Sequence, residues 1–366
     1  MFNYESYPKF KVAAVQAGMV LKDPPQWFDL KASLEKAVSL IEEAGRNGAR
    51  LIVFPETWLP GHPHAVLSMG TSVLKECQNV WVEYLKHSIE VPGPEVEVLG
   101  KAARKAGAYV VMGINERDKK HYGAMYNTIL YLNPQGQVMG KHRKIANTIT
   151  ERLFHAPGQG GNNLRMIFPT ELGRIGGAIC NEHSQYLLQY YYVIQGLEIN
   201  CSLWPGMVQH KAAMQARVRG VSSCSAVFSI AACVYVPFED YPPGYRNRKE
   251  DNPLCGGSGI CTPQGEYIAG PVFDRETIVY AEIDLAEIPR KRSSVNLTGI
   301  YSRWDILSLN VREQPFEPVH MMESLEGKEV NHVSERMEAL EERFKTLEKL
   351  VLAGHGSSVG DKGESI

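Results

Sequence analysis

Asn133-Pro134-Gln135-Gly136 recurs as Thr262-Pro263-Gln264-Gly265, and the elements leading up to the two turns come in the same order. Before the first turn, Lys11 to Gln16 reads as a short apolar strand and Leu30 to Asn47 as a helix by its periodicity. Ala49 to Pro55 follows as a strand without polar alternation, then a helix at about Glu95 to Ala106, and a third strand from Tyr109 to Ile114. Asn127 to Asn133 enters the turn, and its hairpin partner ends near Lys144. Before the second turn the reading is a strand from Gly173 to Cys180, a helix from Gln185 to Leu197 and a strand from Asn200 to Trp204. A helix from Lys211 to Ser223, a strand from Ala226 to Val236 and a hairpin of Gly257 to Thr262 with Glu266 to Gly270 complete it. Strands apolar on both faces, alternating with helices, imply sheets that helices cover. Two such halves can stack their sheets, so the expected fold is a four-layer α-β-β-α sandwich in one domain.

Composition narrows the function. The 366 residues are 44% hydrophobic and 22% charged, ordinary values for a folded chain. Lys plus Arg number 39 against 41 Asp plus Glu, a net charge of -2 that lacks the basic excess nucleic-acid binding requires. The first residues have neither a basic start nor an apolar core, and Ala226 to Pro237 is too short to span a bilayer. No nucleic-acid or membrane partner is therefore expected, and a cytoplasmic location is. Seven scattered cysteines without a CxxC pair suggest reduced thiols rather than a disulfide framework or a zinc site.

Three reactive residues fall just past strands, where open α/β sheets collect ligands. Glu56 follows Leu51-Ile52-Val53-Phe54-Pro55, Lys144 closes Lys141-His142-Arg143-Lys144, and Cys180 follows Gly176-Gly177-Ala178-Ile179. Taken singly, each has a plain structural reading, as a solvated strand end, a charged face and a small core residue. Together they suffice for covalent hydrolysis: a carboxylate to take the thiol proton, a thiolate to attack, and an ammonium to stabilise the developing charge.

Phe54-Pro55-Glu56, His142-Arg143-Lys144 with Glu151-Arg152, and Cys180-Asn181-Glu182-His183 resemble the nitrilase superfamily of carbon-nitrogen hydrolases, its nitrilase branch in particular. Pro60-Gly61-His62-Pro63, Ser202-Leu203-Trp204-Pro205 and Gly299-Ile300-Tyr301-Ser302-Arg303-Trp304-Asp305 look like further segments of that branch in the right order. The resemblance covers residues 8 to 312 and implies the same α-β-β-α sandwich. It also implies Glu56 as general base, Cys180 as nucleophile, Lys144 as stabiliser of the tetrahedral intermediate, and Glu151 as the carboxylate that keeps Lys144 charged. The implied reaction takes a nitrile and water to a carboxylic acid and ammonia without a cofactor.

Where the nitrilases usually carry tryptophan after the nucleophile, this chain has Asn181, which resembles some carbamoylases, so an amide or ureido substrate is the alternative. Asn181 either faces the substrate or serves as a turn residue. Glu182, His183, Trp58, Tyr126, Trp204 and Glu116 are the remaining candidates for the pocket, although aromatic residues in strands are also ordinary core. Cys180, Glu182 and His183 have the residue types of a metal site, but no ligand spacing supports one, and no metal is expected. A catalytically silent assembly protein is a further alternative, opposed by the intact Glu56, Lys144 and Cys180.

Residues 313 to 333 read as a linker. From Ser334 to Ala353, Met337, Leu340, Phe344, Leu347 and Val351 follow spacings of three and four, either a coiled-coil seam or an amphipathic helix docked on its own subunit. A homodimer or larger homo-oligomer is expected, with a helical filament among its forms. Residues 354 to 366 lack apolar content and are expected to be disordered.

Overall fold

The apolar runs of the first half lie side by side as parallel strands. In the computed structural model, which describes residues 7–63, 74–241, 253–312 and 337–349, β1 (Lys9–Gln16) pairs in parallel with β2 (Ala49–Val53), and β2 with β3 (Tyr109–Arg117). β4 (Met125–Leu132) and β5 (Val138–Arg143) extend the sheet antiparallel. The second half repeats the plan. β7 (Gly173–Ile179), β8 (Ile199–Trp204) and β9 (Phe228–Cys233) are parallel, and β10 (Gly256–Cys261) and β11 (Tyr267–Phe273) follow antiparallel. Each sheet gains an antiparallel edge strand, β6 (Phe168–Thr170) beside β7 and β12 (Thr277–Asp284) beside β1. The orders are β12-β1-β2-β3-β4-β5 and β11-β10-β9-β8-β7-β6.

Helices α1 (Leu30–Arg46), α2 (Leu74–His87), α3 (Pro94–Ala106), α4 (Tyr186–Ile194), α5 (Lys211–Ser225) and α6 (Glu287–Arg292) connect or flank these strands. α1 starts where the Asp29 carboxylate accepts from the Ala32 amide at 3.0 Å, an N-cap. The two Pro-Gln-Gly turns are anchored alike. Arg104 of α3 donates from Nε to the Gln135 carbonyl at 2.8 Å, and Arg219 of α5 donates from Nε to the Gly265 carbonyl at 2.8 Å.

Burial explains the missing alternation. Val12 and Ala14 of β1 enter a core between the sheets with Val53, Ile129, Ile179 and Ile230, while Ala13 and Val15 join Ile41 of α1 and Leu99 of α3 on the outer side. On the other sheet, Ala178 and Val227 meet Leu188 and Tyr192 of α4, and Ala231 and Cys233 meet Met214 and Val218 of α5. The layers are therefore helix, sheet, sheet and helix, the sandwich expected from the repeat. Each fully buried Val, Leu, Ile or Met side chain contributes about 1.5–3 kcal/mol.

Several elements lie outside the sequence pattern. In α2, Val80, Tyr84 and Leu85 bury a narrow stripe, and β6 and β12 are edge strands most of whose residues are half-exposed. The helix expected from Gln185 to Leu197 is shorter because Cys180–Ser184 coils as a 3₁₀ turn before it and Gly196, at φ +89°, ends it. The strand expected from Ala226 begins at Phe228, because Ala226 caps α5 at φ +51°. Among the described residues no helix is long and apolar enough to cross a membrane.

The chain divides into two units, 1–316 and 317–366. In the second, residues 337–349 form a helix on which Met337, Leu340, Phe344 and Leu347 are exposed. Val351, the linker expected over 313–333 and the tail expected over 354–366 lie outside the described residues.

Candidate active site

Glu56 is carried just beyond β2, where the Phe54 amide still donates to the Val111 carbonyl at 2.8 Å. The loop after it lies so close to β3 that a Cβ on Gly113 would stand 1.9 Å from the Pro55 carbonyl oxygen, so only glycine fits. Lys144 follows β5, its amide donating to the Asn127 carbonyl at 2.8 Å. Cys180 follows β7 and opens a 3₁₀ turn at φ +48°, a strained conformation of the kind that functional sites maintain. Glu151 sits in another 3₁₀ turn, Ile149–Leu153, where its Oε2 accepts from the Thr148 amide at 2.8 Å.

These elements bring the charged groups together. Lys144 Nζ donates to Glu56 Oε1 at 2.9 Å and to Glu151 Oε2 at 2.7 Å, and all three side chains are buried. Asn127 Nδ2 bridges the same carboxylates, donating to Glu56 Oε1 at 2.7 Å and Glu151 Oε1 at 2.9 Å. Burial raises Glu56 to about 7, with Lys144 pulling the other way and Glu151 adding to the rise. For Glu151 burial acts in the same sense, but Lys144 overrides it and holds the acid at about 2. Lys144 stays protonated: burial opposes the charge, and the two carboxylates more than offset it. Burial also pushes the Cys180 thiol up, as does Glu56, while Lys144 draws it down, so an intact site stores the proton on sulfur.

Glu56, Glu151, Cys180, Asn181, Trp204 and Arg217 line one cavity of about 570 Å³. Of the residues expected in the pocket, Asn181 and Trp204 are on this wall, and five stand behind it for distinct reasons. Glu182 is fully buried. Its Oε1 accepts from the Ile145 amide at 2.8 Å, its Oε2 from the Ile179 amide at 2.9 Å, and His142 Nε2 lies 3.1 Å from both oxygens. The residue before the nucleophile is thereby tied to the residue after Lys144. His183 is pinned by the Cys180 carbonyl (2.8 Å from Nδ1) and Ser202 Oγ (2.8 Å from Nε2), and stacks on Trp204 with centroids 4.8 Å apart. Burial holds it at about 4, so it is neutral near pH 7. Glu182 and His183 thus turn to different partners, the Ile145 and Ile179 amides with His142 for one and Ser202 with the Cys180 carbonyl for the other.

Trp58 is turned into the core, its indole N–H donating to the Ala17 carbonyl at 2.9 Å. Tyr126 lies beneath the Arg143 guanidinium, 3.8 Å from ring centroid to carbon. Glu116 is occupied by Lys141, Arg143 and Thr128. Asn127 and Arg217 were not among the candidates. A polar residue near the start of an otherwise apolar strand was the available signal for Asn127; a charge within helix α5 gave none for Arg217.

Comparison with known proteins follows the same lines. The family model for carbon-nitrogen hydrolases matches residues 11–292. A bifunctional nitrilase/nitrile hydratase of Nicotiana tabacum is 34% identical over 330 residues, spanning 87% of this chain and 90% of that protein. An aliphatic nitrilase of Sinorhizobium fredii is 34% identical over 314 residues, spanning 84% and 97%. The crystal structure of a Saccharomyces cerevisiae member of branch 10 of the nitrilase superfamily aligns with a TM-score of 0.63 at 22% identity, covering 82% of this chain and 99% of that one.

Proposed function

The chain belongs to the nitrilase superfamily of carbon-nitrogen hydrolases and is a hydrolase of carbon–nitrogen bonds, and on that premise we propose that it converts a nitrile to its carboxylic acid and ammonia. The observation that carries this reading is the ion pair of Lys144 with Glu56 at 2.9 Å, on the cavity that Cys180 lines. Glu56 Oε1 is held by Lys144 and Asn127, whereas Oε2 is buried with no hydrogen-bond partner among the described residues. Oε2 is the oxygen that takes the thiol proton.

The thiolate of Cys180 then adds to the nitrile carbon, and the nitrogen gains the proton, giving a thioimidate. Lys144 stabilises the charge that develops on the substrate as each tetrahedral species forms. One water adds, ammonia leaves and a thioester remains; a second water releases the acid and restores the thiol, with Glu56 relaying protons in each step. Glu151 keeps Lys144 charged throughout by its 2.7 Å contact.

Asn181 on the cavity wall supports a second reading, hydrolysis of an amide or ureido bond, because a short polar side chain leaves more room and polarity beside the sulfur than an indole would. Ammonia and acid release from a panel of nitriles, amides and carbamoyl compounds separates the two. Turnover of nitriles to acids supports the first, and turnover of amides or carbamoyl compounds alone replaces it with the second.

A further inference from the structure

The Cys180 cavity carries a guanidinium that the hydrolysis above does not use. Arg217 of α5 lines this cavity and donates from Nε to the Ser184 hydroxyl at 2.5 Å; that hydroxyl donates to Asn181 Oδ1 at 2.9 Å. Two hydrogen bonds therefore fix the guanidinium relative to the residue next to the nucleophile. Among the described residues Arg217 pairs with no carboxylate, unlike the half-buried Arg117 on Glu90 or Arg143 on Glu116 and Asp118. A partly buried cation without a counter-ion is costly, and a planar fork held at one end is ready for a planar anion. The other titratable groups on the wall do not answer it: Glu56 and Glu151 are bonded to Lys144, and His62 and His210 bring no negative charge.

We propose that Arg217 anchors a carboxylate at the far end of the substrate, so that the natural substrates are carboxylate-bearing nitriles, or the corresponding amides. The proposal rests on the hydrolase reading of this cavity, whose volume of about 570 Å³ accommodates a short carbon chain between sulfur and guanidinium. Asn181 acquires a role in it. It orients the anion clamp through Ser184 as a positioning residue.

The test compares kcat/KM within two pairs of equal shape, 4-cyanobutanoate against 5-methylhexanenitrile and 4-carbamoylbutanoate against 5-methylhexanamide. In whichever pair is hydrolysed, the anionic member should be preferred by about tenfold or more, as for a charge-assisted pair. Arg217→Gln should bring that ratio to about one, mainly through the KM of the anion, and Arg217→Lys should restore part of it. Calorimetric binding of glutarate reads the same subsite without turnover, and should weaken about tenfold in Arg217→Gln. Equal use of both members by the unaltered enzyme, a preference that survives Arg217→Gln, or glutarate binding indifferent to Arg217 would each overturn the proposal. Glutarate bound through Arg217 with no ammonia from either pair would instead count against the hydrolase reading and leave the anion site standing.

Discussion

Lys144 meets Glu56 through one carboxylate oxygen only: Nζ is 2.9 Å from Oε1, while Oε2 is buried and unpartnered among the described residues. A symmetric, bidentate pair would hold both oxygens and leave no base. The one-sided pair keeps the ammonium charged and leaves the carboxylate oxygen that the proposed mechanism uses to accept the thiol proton.

If base and ammonium act in the same bond-making step, removing either should cost nearly as much as removing both. Glu56→Gln and Lys144→Met are each expected to lower kcat by about two to four orders of magnitude, and the double variant by little more than the worse single one. Steady-state ammonia release from the three variants checks this; losses that multiply would mean that the two groups act separately.

The acid limb of the rate profile should belong to Glu56. Its raised value of about 7 means that the carboxylate needed to deprotonate sulfur is lost as pH falls through that value. Below it, kcat/KM is expected to drop about tenfold for each unit of pH. A profile flat from pH 5.5 to 8 would assign the base to another group.

Asn127 gives one amide to two carboxylates, at 2.7 and 2.9 Å, and so spaces Glu56 from Glu151 around the lysine. Asn127→Ala is expected to lower kcat by about one to two orders of magnitude, the worth of a hydrogen bond to a charged group. Its acid limb should also move, since Glu56 loses a donor that favours its ionised form. An unchanged rate and pH profile would reduce Asn127 to packing.

Glu182 is the tie between the loops that carry Cys180 and Lys144. Replacing it by leucine leaves the Ile145 and Ile179 amides and His142 without their acceptor. Glu182→Leu should destabilise the fold by about 3–5 kcal/mol, as when one partner of a buried charged pair is removed. Denaturant unfolding measures it, and a loss under about 1 kcal/mol would show that the loops are held by other means.

Much of this arrangement was readable from local sequence. Ala49 to Val53 and Gly173 to Ile179 are short, apolar and bounded, so the reactive residues after them fall at strand ends whatever the details of the turns. The two Pro-Gln-Gly turns mark equivalent hairpins because each hairpin bends at a left-handed glycine, Gly136 at φ +79° and Gly265 at φ +84°. What escaped is what depends on distant pairing. Asn127 reaches Glu56 from 71 positions away, and Arg217 reaches Ser184 from 33, so neither has a local signature. Trp58 and Tyr126 sit in motifs or strands close to the site in sequence, but their side chains turn to the Ala17 carbonyl and the Arg143 guanidinium.

The proposed covalent role of Cys180 is the centre of the account, and one substitution tests it most directly. Cys180→Ala removes the sulfur and leaves the Glu56, Lys144 and Glu151 contacts as they are, so the melting temperature should change little. With the best substrate from the panel, ammonia release by this variant should fall to the uncatalysed background, while alanine at Cys77 or Cys224, which lie away from the cavity lining, should leave it within about twofold of the starting rate. Turnover by a folded Cys180→Ala protein at a rate near that of the unaltered enzyme would contradict the mechanism.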